Sequence, residues 1–183
     1  MARLYMVRHG QAAAGFDTAD PGLDALGKSQ AEAVAKVLAP KGPLPILSSP
    51  LLRTRETAQP LATLWKREPA IEHAVAEIPS PGHMSVTERV PWLRAFMAGS
   101  WRSADKGLAE WRERAIATLA AQKNDVVIFS HYVAINVAMG AALGDDKVVV
   151  FSPANCSVTV FDTDGERLSV VERGQEASLT RVN

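Results

Sequence analysis

Two short apolar runs, each ending on a histidine, constrain this chain more than any other feature. Leu4 to Val7 leads into Arg8-His9-Gly10, and Val126 to Phe129 leads into Ser130-His131. Both runs are rich in strand-favouring residues, and the pattern breaks at each histidine. Each imidazole is therefore expected where a strand gives way to a loop or helix. In open α/β sheets that edge is where ligands bind. If the two strands are parallel and adjacent, both imidazoles and the Arg8 guanidinium share one crevice suited to an anion.

Apolar runs of strand type alternate with longer stretches of helical period, as in βαβ units around a largely parallel sheet. Asp24 to Leu38 is predicted to be a helix, with Leu26, Ala33, Val34, Val37 and Leu38 on one face. Pro40, Gly42, Pro43 and Pro45 end it and lead into a strand at Ile46 to Ser48. Pro50 suits the first turn of a helix through Leu64, and Pro60 inside it predicts a kink or an early end. Ile71 to Val75 reads as a strand, followed by Glu77 and the turn signals Pro79, Pro81 and Gly82. Ser85 to Met97 and Gly107 to Gln122 read as helices. Val158 to Phe161 and Leu168 to Glu172, around Asp164-Gly165, read as a hairpin, so the sheet is expected to be mixed.

A chain of 183 residues, 47% of them hydrophobic, is expected to build a single domain over residues 1–183 around one substantial core. Its 20 basic and 20 acidic side chains cancel, which removes the broad attraction that nucleic acid or an anionic membrane needs. Cys156 is the one cysteine, so neither a disulfide framework nor a cysteine-based zinc cluster is available. No signal-peptide pattern or membrane span is read, and a cytoplasmic location is expected, with no nucleic-acid or membrane partner.

A histidine acts as a covalent nucleophile when one ring nitrogen is free and the other is held by a hydrogen bond. Beside His9, Arg8 offers a planar fork matched to phosphate oxygens, and Gly10 lets backbone N–H groups approach them. Read alone, Arg8-His9-Gly10 is a surface turn. A second segment, Ser49-Pro50-Leu51-Leu52-Arg53-Thr54-Arg55-Glu56-Thr57-Ala58, follows the second strand. Arg53 lies there about one helical turn past the strand end, within reach of the same crevice, where a helix N-terminus adds partial positive charge.

These segments and Ser130-His131 resemble, in order, the three signatures of the histidine phosphatase superfamily, also called the phosphoglycerate mutase-like family. Gly22-Leu23-Asp24-Ala25-Leu26-Gly27-Lys28-Ser29-Gln30-Ala31 is similar to the family segment that opens the first helix. The resemblance implies a three-layer α/β/α sandwich with a mostly parallel, mixed central sheet. It also implies a metal-independent phosphatase with no cofactor, acting on a phosphorylated small molecule or phosphoprotein. By position, His9 would form the phosphohistidine, with Arg8, Arg53 and His131 around the phosphoryl oxygens. Glu77, in Ala76-Glu77-Ile78, would be the proton donor, with Glu72 and Glu88 as competitors.

The chain departs from the family pattern at Ala12 and Gly15, where many members carry Thr and Asn, and at Tyr132, where glycine usually follows the second histidine. The Tyr132 ring is expected to shape the pocket mouth. The chain is also short for a phosphoglycerate mutase, so hydrolysis is favoured over mutase activity. The same departures motivate another reading, a phosphate-binding module without turnover.

The remaining candidates have plainer readings. His73 and His83 are read as structural or solvated, and no histidine pair has the spacing to clamp a metal. Trp65, Trp92, Trp101 and Trp111 are read as packing residues, with Trp92 and Trp101 alternatively lining the pocket. Cys156 reads as a buried small hydrophobe, and Asn155 as pointing toward the site. A homodimer would use an exposed edge strand or the apolar face of Ser85 to Met97.

Overall fold

A computed structural model describes residues 1–14, 19–82 and 84–178; Gly15 and His83 lie outside them. The strands are β1 (Ala2–Arg8), β2 (Ile46–Ser48), β3 (Ala70–Ile71), β4 (Val126–Ser130), β5 (Val158–Thr163) and β6 (Leu168–Glu172). The helices are α1 (Ala25–Leu38), α2 (Leu52–Trp65), α3 (Val86–Met97), α4 (Lys106–Ala120) and α5 (Tyr132–Leu143). The strands form one sheet in the order β3-β2-β4-β1-β5-β6. β1 runs parallel to β4, and β2 parallel to both β3 and β4, whereas β5 is antiparallel to β1 and β6.

Alternation along the strands divides the core in two. Tyr5, Val7, Val127 and Phe129 face α1 and α2, where they meet Val34, Leu38, Leu61 and Trp65. Leu4, Met6, Val126 and Ile128 point the other way, into Leu119 of α4 and Ile135 and Met139 of α5. The result is a three-layer α/β/α sandwich with a mixed sheet. A further cluster, with Ile78, Phe96, Trp101, Leu108, Trp111 and Val137, fastens α3 to α4 and α5. Its rings stack in series: Trp92 on Phe96, Phe96 edge-on to Trp101, and Trp101 on Trp111. These tryptophans thus follow the packing reading.

Three local expectations are corrected. In α1 the buried face is Gly27, Ala31, Val34, Ala35 and Leu38, so Leu26, Ala33 and Val37 point to solvent. The helix turns this way because Gly27 must press against the backbone of Gln11. The strand expected over Ile71 to Val75 stops at Ile71. Glu72 caps a 3-10 turn over His73–Val75 by accepting from Ala74 N, which leaves His73 exposed. Pro50 lies ahead of α2, whose N-cap is Leu51, and the helix continues through Pro60 to Trp65. α5 is apolar on nearly every side and buried, so periodicity had little to reveal there.

Candidate active site

β1 and β4 lie side by side and parallel, with Arg8 opposite Ser130, so His9 and His131 follow adjacent carboxyl ends. From β1 the chain crosses to α1 on one face, and from β4 it enters α5 on the other. This opposite departure creates the crevice of a doubly wound sheet. The two imidazoles stand 5.2 Å apart between centroids and 60° between planes. Both are buried, His9 at 8% exposure and His131 at 0%.

His9 is held at both nitrogens. Nδ1 lies 2.7 Å from the Gly10 carbonyl oxygen, which can only accept, so Nδ1 carries the proton. Nε2 then keeps its lone pair and accepts from Arg53 Nε at 3.3 Å. Burial first, and then the Arg53 and Arg8 charges, lower the His9 pKa to about 3, against a partial upward pull from the Gly10 bond. The ring is therefore neutral at neutral pH. Its backbone is fixed too, since His9 N donates to Ser130 O and Asn155 Nδ2 donates to His9 O at 2.9 Å. Asn155 thus reaches the site as the sequence suggested.

Gly10 N donates to Thr57 Oγ1, which itself donates to the Arg53 carbonyl, so one hydroxyl joins the β1 turn to α2. Arg8 is buried and donates from Nη1 to Pro153 O at 2.8 Å. Its guanidinium carbon lies 5.1 Å from the centroid of the Tyr132 ring, whose hydroxyl is 2.9 Å from Ser152 Oγ. The ring that replaces the usual glycine therefore packs against the cation beside the crevice. The α2 N-terminus is partly taken: Asp20 accepts from Leu52 N at 2.9 and 3.1 Å, neutralising some of the expected positive end.

His131 Nε2 lies 2.8 Å from Ser49 Oγ, while its buried Nδ1 finds no partner among the described residues, nor does Nε of Arg8. Burial, followed by His9, Arg53 and Arg8, holds the His131 pKa well below the usual value. Two nitrogens that need partners thus sit among the residues the sequence singled out.

Glu77 follows the 3-10 turn, and Ser130 Oγ ties that turn to β4 by donating to Val75 O at 2.7 Å. Its Oε1 accepts from Ile78 N at 3.0 Å. Burial raises the Glu77 pKa, opposed by that bond and by the charges of Arg53, Arg8 and Arg89. Glu72 and Glu88 are engaged as caps, the second in a capping box with Ser85. Arg89, on α3, donates to Ile78 O at 3.1 Å. Sequence reasoning gave no role to Arg89, nor separate roles to Ser49 and Thr57 within their motif. The motif spacing marks the last two, but no pattern marks Arg89. Among the described residues no three of His, Cys, Asp or Glu gather in a metal-binding group. No described helix is long and apolar enough to cross a membrane.

Comparison with known proteins agrees with this fold. The family model for the histidine phosphatase superfamily (branch 1) matches residues 4–176. A mycobacterial glucosyl-3-phosphoglycerate phosphatase is 24% identical with a TM-score of 0.72, covering 97% of this chain and 100% of that one. A phosphoserine phosphatase from Entamoeba histolytica, in complex with 3-phosphoglyceric acid, is 23% identical with a TM-score of 0.73, covering 96% and 98%. YhfR from Bacillus stearothermophilus is 20% identical with a TM-score of 0.76, covering 97% and 98%. A PE-PGRS family protein, PE_PGRS11, from Mycobacterium tuberculosis is 46% identical over 94 residues, which are 48% of this chain and 15% of that protein. The chain thus spans a small part of that curated relative.

Proposed function

The chain belongs to the histidine phosphatase superfamily, branch 1, and from that premise we propose that it hydrolyses a phosphomonoester without a metal, through a phosphohistidine on His9. The observation that carries the reading is the His9 tautomer: Nδ1–H is committed to Gly10 O, so the lone pair is on Nε2, where it accepts from Arg53 Nε, a donor that an incoming phosphoryl oxygen would take over. Nε2 attacks phosphorus as the ester P–O bond breaks, and Glu77 gives its proton to the departing oxygen. The resulting carboxylate then takes a proton from water, which attacks the phosphohistidine and releases phosphate.

Arg8, Arg53 and His131 supply donors to the equatorial oxygens, where charge gathers during transfer. Loss of one such donor costs about 3 kcal/mol, or roughly a hundredfold in rate. The names of two similar structures, phosphatases of glucosyl-3-phosphoglycerate and of phosphoserine, support a small phosphorylated molecule ahead of a phosphoprotein. The depth of His9, 8% exposed, supports the same preference.

Phosphate release from an aryl phosphate in the presence of a chelator tests this reading. Turnover is expected to survive chelation and to vanish in His9→Ala. Full release by His9→Ala would overturn the phosphohistidine route. Calorimetric phosphate binding with no turnover across a broad substrate panel would instead favour a binding module.

A further inference from the structure

We infer that Ser49 is a positioning residue that fixes the tautomer of His131, so that the second histidine meets a phosphoryl group as a neutral hydrogen-bond donor. This rests on the crevice being the phosphoryl site. Ser49 and His131 are both fully buried, and Ser49 Oγ lies 2.8 Å from His131 Nε2. The same hydroxyl oxygen accepts from Leu51 N at 3.2 Å. The serine is held rigidly: its N–H donates to Phe129 O, and its carbonyl accepts from Ser48 Oγ and Thr54 Oγ1.

Two arrangements of the Ser49–His131 bond are chemically distinct. If His131 Nε2–H donated to Ser49, the hydroxyl proton would have no acceptor, and the Nδ1 lone pair would face an incoming anion. If Ser49 donates to Nε2, the hydroxyl is satisfied by Leu51 N and His131 together, and the proton resides on Nδ1. That leaves a single unpartnered donor, the Nδ1–H, which a phosphoryl oxygen satisfies. The second arrangement strands fewer buried groups and aims the right polarity at the substrate. Double protonation is opposed by burial and by the neighbouring His9, Arg53 and Arg8. Arg8 and Arg53 then balance a phosphate dianion, and His131 adds directionality without a third charge.

Nitrogen-resolved NMR of the imidazoles tests the assignment, with the His131 signals identified by their loss in His131→Gln. In the unaltered protein His131 is expected to be neutral and protonated at Nδ1, with and without inorganic phosphate. In Ser49→Ala that tautomer should lose its dominance, and kcat on an aryl phosphate should fall about ten- to a hundredfold. Ser49→Cys, a weak donor of similar size, should fall between the two. A His131 protonated at Nε2 in the unaltered protein would overturn the inference, as would Ser49→Ala with unchanged tautomer and kcat. The unaltered protein's spectrum decides even where Ser49→Ala does not fold. An Nδ1–H tautomer in a protein that turns over no phosphoester would leave this inference standing and remove the proposed hydrolysis instead.

Discussion

At Glu77 two opposing influences meet, and their balance sets how activity should respond to pH. Burial raises its pKa, while the Ile78 N–H and the Arg53, Arg8 and Arg89 charges pull it down, with burial the larger. The carboxyl thus keeps its proton to higher pH than an ordinary glutamate, as donation to a leaving oxygen requires. As pH rises through this raised value the acid form is lost, so kcat should decline on the alkaline side. His9, with a pKa of about 3, becomes protonated only in strong acid and sets no limb near neutrality. In Glu77→Gln, kcat on an alkyl phosphate, whose leaving group needs a proton, should drop about a hundredfold or more and its alkaline decline should disappear. An alkaline limb retained in Glu77→Gln would assign it to another group. Sequence order puts Glu77 forward as the candidate by its place after the third strand. It could not show that Glu72 and Glu88 are engaged as caps, because capping depends on where the neighbouring turns begin.

Among the elements, α1 and the turn after β1 are the tightest joint near the site. A Cβ on Gly27 would overlap the Gln11 carbonyl, and one on Gly10 would lie 2.6 Å from the Gly27 carbonyl oxygen. This close approach lets α1 brace the backbone that carries His9, with Asp24 capping the helix through Gly27 N and accepting from Gln11 Nε2. Gly27→Ala should therefore destabilise the protein, on the order of 1–3 kcal/mol, despite the higher helix propensity of alanine. Gly107→Ala, where the added carbon meets Asp105 Oδ1 at an ordinary 3.4 Å, should be neutral or stabilising. Urea unfolding of the two variants checks the contrast, and equal effects would remove the steric argument. The same joint explains why apolar spacing alone misplaces the α1 stripe: spacing weighs Leu26 and Val37, whereas the buried face includes Gly27, which packs on the Gln11 backbone. Local pattern overextends β3 because Val75 is as apolar as a strand residue. It is held instead by a long-range bond from Ser130, which local pattern cannot show. By contrast, β1, β2 and β4 were legible because both strand faces are covered and their residues form unbroken apolar runs.

For the molecule as a whole, placing two neutral histidines in a cationic, buried crevice links stability to pH. The folded His9 pKa is near 3 against 6.5 in an unfolded chain, and that of His131 is lowered in the same direction. Between these values the unfolded state binds protons that the folded state refuses. Stability from His9 is therefore fully present above pH 6.5 and is lost as pH falls toward 3. For His9 alone the loss between pH 7 and pH 4 is on the order of 3 kcal/mol, a large fraction of a typical domain's margin. Glu77 acts with the opposite sign, its contribution being lost as pH rises through its raised folded pKa. The capping and paired carboxylates of Asp24, Glu88, Asp162 and Asp164, whose pKa values are lowered, add to the acid loss. A single unfolding series cannot separate these contributions, but a difference between proteins can. His9→Gln keeps a polar side chain of similar reach and cannot take up the proton. Urea unfolding from pH 7 to pH 4 should show a shallower fall for His9→Gln than for the unaltered protein, the difference in stability lost since pH 7 growing steadily below pH 6.5. Parallel curves would mean that His9 takes up its proton at the same pH in the folded protein as in the unfolded chain, so that burial in the crevice does not keep its lone pair free as pH falls toward 4.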